Sequence, residues 1–333
     1  MKRNYKRIMV TGAAGFLGSH LAEYHLSRGD HVLGIDNFCS SQSDSLHLQS
    51  LMKQSNFLFH EADVAHEDTF DDIMRFARFD LIYNMACPAS PSKYQEMPVR
   101  TLLTCVNGTR NVLALAFRQH ARVVHASTSE VYGDPTVSPQ PESYRGNVNP
   151  YGPRSCYDEG KRAAETLCYD FSGNGHDVDV RVARIFNTYG ENMLADDGRV
   201  ITNFICQALR GEALTVYGSG EQTRSFCYVS DLIRGLVALG EVRKNPRGPI
   251  NLGNPKEFTI LQLAREVTEL VNPEFLTNPD LNVRAISSRL PVDDPRQRCP
   301  DISRANKILK WKPTVSLHEG LERTIKYFRT VGV

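Results

Sequence analysis

The first half of the chain alternates short apolar runs with segments that carry apolar residues at helical spacing. Strands and helices in alternation are typical of a parallel sheet with helices packed against it. We therefore predict an α/β fold built on a doubly wound parallel sheet. The predicted strands are 7–10, 31–35, 57–60, 81–84, 123–126 and 180–185, and the predicted helices are 16–27, 101–119 and 157–171.

After residue 185 the pattern changes to Gly-rich loops and shorter elements. We predict a smaller lobe there, interleaved with the first lobe along the sequence. The larger lobe takes residues 1–186 and 227–256, and the smaller lobe takes residues 187–226 and 257–333. Further helices are predicted at 231–239, 261–271 and 317–328, and one more buried strand is predicted at 249–252.

The composition is that of an ordinary globular protein with almost no net charge. Its 333 residues include 39 Lys and Arg against 38 Asp and Glu, a net charge of +1. This balance excludes capture of nucleic acid or of an anionic membrane through overall charge. Without a membrane-spanning apolar run or a signal peptide, the chain is expected to be soluble and cytoplasmic. Eight scattered cysteines show no metal spacing, which favours reduced thiols and no metal site.

A glycine motif follows the first predicted strand and opens the first predicted helix. Gly12 and Gly15 let the backbone turn tightly and approach a pyrophosphate at the positive end of the helix. Gly18 permits close packing of the helix on the strand. The strand before the motif and the helix after it favour a dinucleotide site of the Rossmann type over an ordinary loop.

The acidic residue that ends the second predicted strand, Asp36, bears on the choice of cofactor, because its carboxylate can accept hydrogen bonds from both ribose hydroxyls but would repel a 2′-phosphate. Positions 37–52 contain no Lys or Arg that could pair with such a phosphate, so we predict NAD. Asp63 is either an adenine-side contact or a turn carboxylate. The predicted cofactor site consists of Gly12, Gly15, Phe16, Leu17, Gly18, Asp36, Asn37, Asp63, Val64, Tyr157 and Lys161.

Tyr157 and Lys161 form a candidate catalytic pair, since a spacing of four residues puts them on one face of a predicted helix. The ammonium favours the phenolate, and we expect it to lower the pKa of Tyr157 from about 10 towards neutrality, as a general base requires. The alternative is a Tyr/Lys pair on a solvated helix face. Against it, the predicted strand at 123–126 ends in Ser127-Thr128-Ser129-Glu130, at the edge of the sheet where doubly wound folds bind ligands.

Together these motifs resemble those of the short-chain dehydrogenase/reductase superfamily, in the extended branch that modifies nucleotide sugars. The resemblance spans essentially the whole chain. It implies that Tyr157 is the base, that Lys161 activates it and binds the nicotinamide ribose, and that Thr128 is the hydroxyl partner of the sugar. It also implies that the larger lobe binds NAD, that the smaller lobe binds the UDP-sugar, and that the chain forms a homodimer through helices near 101–119 and 157–171.

Five segments resemble the UDP-glucuronate decarboxylase family within this branch. Ser129-Glu130 stands where the related 4,6-dehydratases have Asp-Glu. The resemblance implies NAD-dependent conversion of UDP-glucuronate to UDP-xylose through oxidation at C4, loss of carbon dioxide and re-reduction. Glu130 would orient the sugar or move a proton near C5. The five segments are 86–91, 128–135, 152–162, 184–190 and 293–302.

The same resemblance implies a substrate site that contains several arginines. Planar guanidinium groups match the pyrophosphate and the uronate, which are both anionic. For any one of these arginines, the alternative is a surface charge. The implied catalytic residues are Thr128, Glu130, Tyr157 and Lys161, and the implied substrate site is Pro88, Arg100, Ser129, Asn187, Arg199, Tyr217, Arg224 and Arg298.

Two other functions are compatible with the sequence. A UDP-sugar 4-epimerase would share the oxidation and rotate the ketone before reduction. A catalytically inactive nucleotide-binding scaffold is disfavoured because Thr128, Tyr157 and Lys161 are all present. Three departures from the family pattern concern loop contacts: Glu191-Asn192 in place of Pro-Arg, the turn Cys39-Ser40-Ser41, and Tyr151 in place of a smaller residue.

Overall fold

The computed structural model describes residues 5–76, 78–272, 284–286, 293, 295 and 297–333. The described strands are β1 (Arg7–Thr11), β2 (His31–Asp36), β3 (Phe57–Glu61), β4 (Leu81–Asn84), β5 (Arg122–Thr128), β6 (Val180–Ile185), β7 (Thr188–Tyr189), β8 (Thr215–Tyr217), β9 (Thr223–Ser225), β10 (Cys227–Tyr228), β11 (Ile250–Leu252), β12 (Glu257–Thr259) and β13 (Arg284–Ile286). The described helices are α1 (Phe16–Ser27), α2 (Leu46–Met52), α3 (Asp68–Phe76), α4 (Pro91–Glu96), α5 (Pro98–Leu103), α6 (Thr109–Gln119), α7 (Ser155–Phe171), α8 (Val200–Leu209), α9 (Val229–Glu241), α10 (Ile260–Val271), α11 (Ser303–Leu309) and α12 (Leu317–Thr330).

Seven of these strands form the central sheet, in the order β3-β2-β1-β4-β5-β6-β11. Each neighbouring pair is parallel. The strand order reverses between β1 and β4, which puts a crevice at the carboxyl ends of the strands, as in doubly wound folds. The predicted fold class is therefore confirmed. Each of the six strands predicted in the first half corresponds to an observed one, and the strand predicted at 249–252 is β11 at the edge of the sheet.

Helices cover both faces of this sheet. Along β1, Ile8 and Val10 belong to one buried cluster and Met9 belongs to another, because successive residues of a strand point to opposite faces. Helix α9 contributes Leu236 to the first cluster, and helix α6 contributes Val112 to the second. Because the inner strands such as β1, β4 and β5 are covered on both faces, they carry the continuous apolar runs from which they are predicted.

The helix predicted at 101–119 begins earlier and is not regular. It starts as α5 with Pro98 in its first turn, where the missing N–H costs no hydrogen bond, and it passes through the π-helical turn Thr104–Gly108 before continuing as α6. Gly108 lies against β-branched Val64, since a Cβ on Gly108 would be 2.8 Å from Val64 Cγ2. Helix α8 is not predicted from the sequence, although its less buried residues Val200, Asn203 and Gln207 lie on one face at helical spacing.

Outside the central sheet, strands form two-stranded pairings. Strand β7 pairs with β10, β8 pairs with β13, and β9 pairs with β12, which sets Arg224 opposite Phe258. The division of the chain into two lobes stays a prediction. Residues 273–283, 287–292, 294 and 296 of the predicted smaller lobe lie outside the described residues. Among the helices that the structure describes, none is long and apolar enough to cross a membrane.

Candidate active site

A cavity of about 890 Å³ opens at the carboxyl ends of the central strands. Its wall consists of the glycine motif after β1, the ends of the strands that follow, the start of α7, and segments of the predicted smaller lobe. Every predicted site residue except Asp63 and Arg100 lines this cavity. The fold therefore brings together side chains from distant parts of the sequence.

The glycine motif lines the part of the cavity where the cofactor is predicted to bind. Gly12 has a φ of +69°, and a Cβ on Gly18 would lie 2.0 Å from the carbonyl oxygen of Gly12. At Gly15 a Cβ would meet only that same oxygen, at 3.3 Å, so the space above Gly15 is open to the cavity. The backbone N–H of Gly15 donates to Gly12 O at 3.1 Å and closes the turn. The motif leaves room for a pyrophosphate at the start of α1. Side chains larger than hydrogen at these positions would occupy that room.

Asp36 lies beside this motif at the end of β2. Its carboxylate accepts hydrogen bonds from the backbone N–H of Ala14 at 3.0 Å, from that of Phe38 at 2.9 Å, and from the Ser41 hydroxyl at 2.9 Å. The first of these bonds ties the acidic residue to the glycine motif. Ser41 belongs to the turn in which the sequence departs from the family pattern, so this turn supports Asp36 in a way that the sequence does not predict.

Asp36 is expected to select NAD over NADP. Asp36→Ala should weaken NAD binding by about 1.5–3 kcal/mol, the scale of hydrogen bonds to a charged group. Part of that loss comes from the released Ala14 contact. Isothermal titration of nucleotide-free protein with each cofactor measures the effect, and Ser41→Ala, which removes one donor, should weaken binding less. Equal affinity of the unchanged protein for NAD and NADP contradicts the assignment.

Asp63 and Arg100 do not line the cavity and instead contact each other. Arg100 donates to Asp63 at 3.1 Å, and the other carboxylate oxygen accepts the backbone N–H of Ala65 at 2.9 Å. Burial raises the pKa of Asp63, but these hydrogen bonds outweigh burial and hold it below its usual value. Of the two interpretations of Asp63, the structure favours the turn carboxylate. The guanidinium of Arg100 is taken up by this pair, so the structure does not bring it to the predicted substrate site.

Tyr157 lies in the first turn of α7 and is buried in the cavity wall. Its hydroxyl shares a hydrogen bond with Thr128, and its ring stacks on Tyr94 with centroids 5.0 Å apart and planes 6° apart. Lys161 Nζ donates to the carbonyl oxygen of Ala126 at 2.8 Å and lies 5.8 Å from the centre of the Tyr157 ring. Tyr94 is a site residue that the sequence does not single out.

The expectation that Lys161 lowers the pKa of Tyr157 is wrong for the chain alone. Burial, and then the neighbouring thiol of Cys87, raise the pKa of Tyr157 well above its usual value, and the hydrogen bond from Thr128 offsets this only partly. The ammonium of Lys161 is directed to a backbone carbonyl rather than to the phenol oxygen. Removal of the ring from water therefore outweighs the attraction that the helical spacing predicts.

Glu130 is held between two arginines. Arg298 binds it through two hydrogen bonds of 2.5 and 2.7 Å, and Arg154 donates to it at 2.7 Å. Burial raises the pKa of Glu130, but the two guanidinium groups, first Arg298 and then Arg154, hold it below its usual value. The carboxylate is thus ionised and serves as an acceptor, which fits positioning better than proton donation. Arg154 is a further residue that the sequence does not predict, although it stands within the quoted segment 152–162.

Asp158 is a buried carboxyl next to this cluster. Its Oδ1 has no hydrogen-bond partner among the described residues. Burial and the charge of Glu130 raise the pKa of Asp158 to about 8, against the opposing effect of Arg154 and Arg298. The group is therefore largely protonated at neutral pH, where most carboxyls in proteins are ionised.

Asp158→Asn should change how stability depends on pH. The folded-state pKa of Asp158 lies above its unfolded value of about 3.9, so its contribution to stability is complete below that value and is lost as the pH rises through about 8. The amide of asparagine does not titrate, so the variant does not lose stability over this pH window. Its free energy of unfolding should therefore rise relative to that of the native protein as the pH increases. Urea unfolding across the window measures this, with exposed Asp71→Asn as the control. Parallel profiles for the native protein and the Asp158 variant would show that the carboxyl is ionised.

The remaining predicted substrate residues line the same cavity. Arg199 is paired with Asp197, with one bond at 2.8 Å, and Arg224 donates to the carbonyl oxygen of Thr223 at 2.9 Å. Arg224 is buried, whereas Tyr217 is 44% exposed. The other predicted substrate residues that line the cavity are Pro88, Ser129, Asn187 and Arg298.

Comparisons with known proteins agree with this geometry. The model of the NAD dependent epimerase/dehydratase family matches residues 8–253. UDP-glucuronic acid decarboxylase 6 of Arabidopsis thaliana is 50% identical over 325 residues, which are 97% of this chain and 89% of that protein. UDP-glucuronic acid decarboxylase 1 of Xenopus tropicalis is 48% identical and covers 98% of this chain and 73% of its own length.

Solved structures show the same fold. The UDP-glucuronic acid 4-epimerase of Bacillus cereus, in complex with UDP-glucuronic acid and NAD, superposes with a TM-score of 0.83 at 28% identity and covers 98% of this chain and 99% of that one. The UDP-glucose 4-epimerase of Thermotoga maritima has a TM-score of 0.86 at 26% identity, with the same coverage. The chain therefore belongs to the NAD dependent epimerase/dehydratase family, the extended branch of the short-chain dehydrogenases/reductases.

Proposed function

We propose that the protein is an NAD-dependent UDP-glucuronate decarboxylase that forms UDP-xylose. The observation that carries this function is identity at about half of all positions, over nearly the whole chain, with relatives that are named UDP-glucuronic acid decarboxylases. The 4-epimerase structures share the fold at lower identity. The arrangement of Thr128, Glu130 and Tyr157 around one cavity supports the same function.

The cofactor side of the cavity fits NAD. Gly12, Gly15 and Gly18 leave the space that a pyrophosphate needs, and Asp36 offers a carboxylate to a ribose without a phosphate. Lys161 would hold the nicotinamide ribose. When bound, NAD supplies the acceptor for a hydride from C4 of the sugar and the donor for its return.

Thr128 and Tyr157 would act on the C4 hydroxyl of the sugar. Their hydroxyls share a hydrogen bond, so one substrate oxygen placed between them can contact both. Tyr157 takes the proton of that hydroxyl during oxidation and gives it back during reduction. Because burial disfavours its phenolate, Tyr157 requires nearby positive charge, and Lys161 and Arg199 both lie close enough to act on its ring electrostatically.

Decarboxylation follows from the position of the new ketone. A ketone at C4 is β to the C6 carboxylate, so the electrons of the C5–C6 bond pass into an enolate as carbon dioxide leaves. Hydrogen-bond donors aimed at the enolate oxygen stabilise it, and Thr128, Tyr157 and Arg224 line the cavity where they can do so. Glu130, fixed by Arg154 and Arg298, would orient the sugar while C5 takes up a proton.

Incubation with UDP-glucuronate tests this function. We expect carbon dioxide and UDP-xylose, detected by mass spectrometry and NMR, with little net reduced cofactor because the hydride returns to the sugar. Arg224→Ala should lower kcat/KM for UDP-glucuronate more than it lowers affinity for NAD, since its proposed partners are the anionic groups of the substrate. UDP-galacturonate as the only product would establish an epimerase. NAD binding without any product would establish a nucleotide-binding scaffold.

We propose further that the chain is a cytoplasmic homodimer that pairs through the helices near 101–119 and 157–171. Large apolar side chains are exposed on these helices, among them Leu103 at 45% and Tyr169 at 79%. A second copy that covers such a surface would remove it from water. All eight cysteines are free, which supports a reducing compartment. Light scattering should give twice the mass of one chain, and a mass of one chain would contradict the dimer.

A further inference from the structure

Two cysteines that are distant in sequence meet beside the catalytic residues. The Sγ atoms of Cys87 and Cys105 lie 3.2 Å apart, and neither is bonded to another cysteine. Cys87 follows β4 and lines the cavity, and Cys105 lies in the π-helical turn Thr104–Gly108. The proposed function gives neither thiol a role.

Cys105 packs directly against the helix that carries Tyr157 and Lys161. A Cβ on Gly160 would lie 3.1 Å from Cys105 Cβ and 3.2 Å from Cys105 Sγ, so the glycine lets the thiol approach the backbone of α7. Gly160 stands between the two catalytic residues in the sequence. Any movement of Cys105 therefore reaches the segment of α7 that positions them.

The two thiols differ in reactivity and in access. A hydrogen bond from Cys87 is the largest effect on Cys105 and lowers its pKa, and the charge of Lys161 acts in the same direction. Burial, the largest effect on Cys87, raises the pKa of that thiol. Cys105 is thus the better nucleophile, while Cys87 is the one that a small oxidant reaches through the cavity.

We propose that Cys87 and Cys105 form an oxidisable dithiol that a peroxide closes to a disulfide, and that this closure inactivates the enzyme. The Cys87 thiol gives up its proton as its sulfur attacks one peroxide oxygen, the O–O bond breaks, and the hydroxide that leaves takes up that proton to form water. Cys105 sulfur then attacks the resulting sulfenic acid, and the S–O bond breaks. The second hydroxide leaves as water with the proton of Cys105, so two thiols are oxidised and one peroxide is reduced to two waters.

Closure of the disulfide should disturb catalysis through geometry. The sulfur atoms must approach from 3.2 Å to about 2.05 Å, which draws Cys105 away from its contact with Gly160. Displacement of catalytic groups by about 1 Å can cost 10²-fold in rate. Inactivation should be reversible, because a dithiol reductant restores both thiols.

Peptide mapping tests the proposal on the purified enzyme as isolated. After hydrogen peroxide, thiol blocking and trypsin, we expect peptide 79–93, with Cys87, joined to peptide 101–110, with Cys105. Residual turnover should fall in proportion to the linked fraction, to roughly a tenth or less at full linkage, and dithiothreitol should restore it. Cys156, which is also close to both thiols, lies in the separate peptide 155–161 and reports any alternative pairing.

Two variants separate the proposal from its alternatives. Cys105→Ala should form no disulfide link. Its turnover after peroxide treatment should equal its turnover before treatment. Cys156→Ala should link and lose turnover as the native enzyme does. Unlinked peptides in the native enzyme, a link from Cys87 to Cys156, or full linkage with unchanged turnover would overturn the proposal. The turnover measurement rests on the proposed function, whereas the peptide measurement does not depend on it. A failure of the proposed function would therefore leave the disulfide link detectable, and a failure of the dithiol proposal would show as unlinked peptides.

Discussion

Tyr157→Phe should lower turnover of UDP-glucuronate by about 10²–10⁴-fold while the UDP-sugar still binds. The substitution removes the oxygen that exchanges the proton with the C4 hydroxyl and that bonds to Thr128, but it keeps the ring that stacks on Tyr94. Little contact area is lost, so the loss should fall on kcat rather than on affinity. Steady-state kinetics and isothermal titration with UDP-glucuronate measure the two quantities separately.

Tyr94→Phe is the matched control for this prediction. The two rings are stacked and both line the cavity, yet Tyr94 Oη has no hydrogen-bond partner among the described residues. Burial raises the pKa of Tyr94 above its usual value, and the charge of Arg154 offsets this only partly. Its variant should therefore lose much less turnover than Tyr157→Phe. The reverse order would identify Tyr94 as the base.

Glu130→Gln should destabilise the fold by about 3–5 kcal/mol, because it removes the buried carboxylate charge that Arg154 and Arg298 both bind. The loss should depend on pH with a definite sign. The folded-state pKa of Glu130 lies below its unfolded value of about 4.3, so its stabilisation is present above that value and is lost as the pH falls through the folded pKa. Urea unfolding of the native protein and the variant at neutral and acidic pH should show the difference shrinking in acid.

Glu67→Gln provides the comparison for the glutamate substitution. Glu67 also pairs with an arginine, Arg110, but its side chain is 69% exposed. Exposed pairs of this kind are worth about 0–1 kcal/mol, so this variant should unfold close to the native protein. Equal losses in the two variants would mean that burial of the Glu130 cluster contributes nothing to stability.

The parts that the sequence predicts correctly are those in which the signal lies within one element. Buried parallel strands appear as apolar runs, and β1 is predicted because both of its faces are covered. The glycine motif is predicted from its spacing between a strand and a helix, and Gly18 must be small because Gly12 O occupies the space of a side chain. The four-residue spacing of Tyr157 and Lys161 is equally local, since it depends only on the pitch of one helix.

Other features depend on segments that are distant in sequence. Glu130 contacts Arg154, which is 24 positions away in the sequence, and Arg298, which is 168 positions away. Contacts at such separations produce no periodic pattern in the sequence. The same is true of Tyr94 on Tyr157 and of Cys87 beside Cys105. Arg100 is the opposite case. The sequence predicts it in the substrate site, but in the fold it donates a hydrogen bond to Asp63 instead.

For this protein, then, the sequence by itself determined the central sheet and the position of the glycine motif, and it predicts Asp36 and the Tyr157/Lys161 pair as site residues, because each follows from spacing along one strand or helix. Only the tertiary structure decided which charges those residues meet. It directs Lys161 to Ala126, buries Tyr157 so that its pKa rises, and holds Glu130 between two arginines. The physical reason is that desolvation and ion pairing depend on distances through space, which only packing sets.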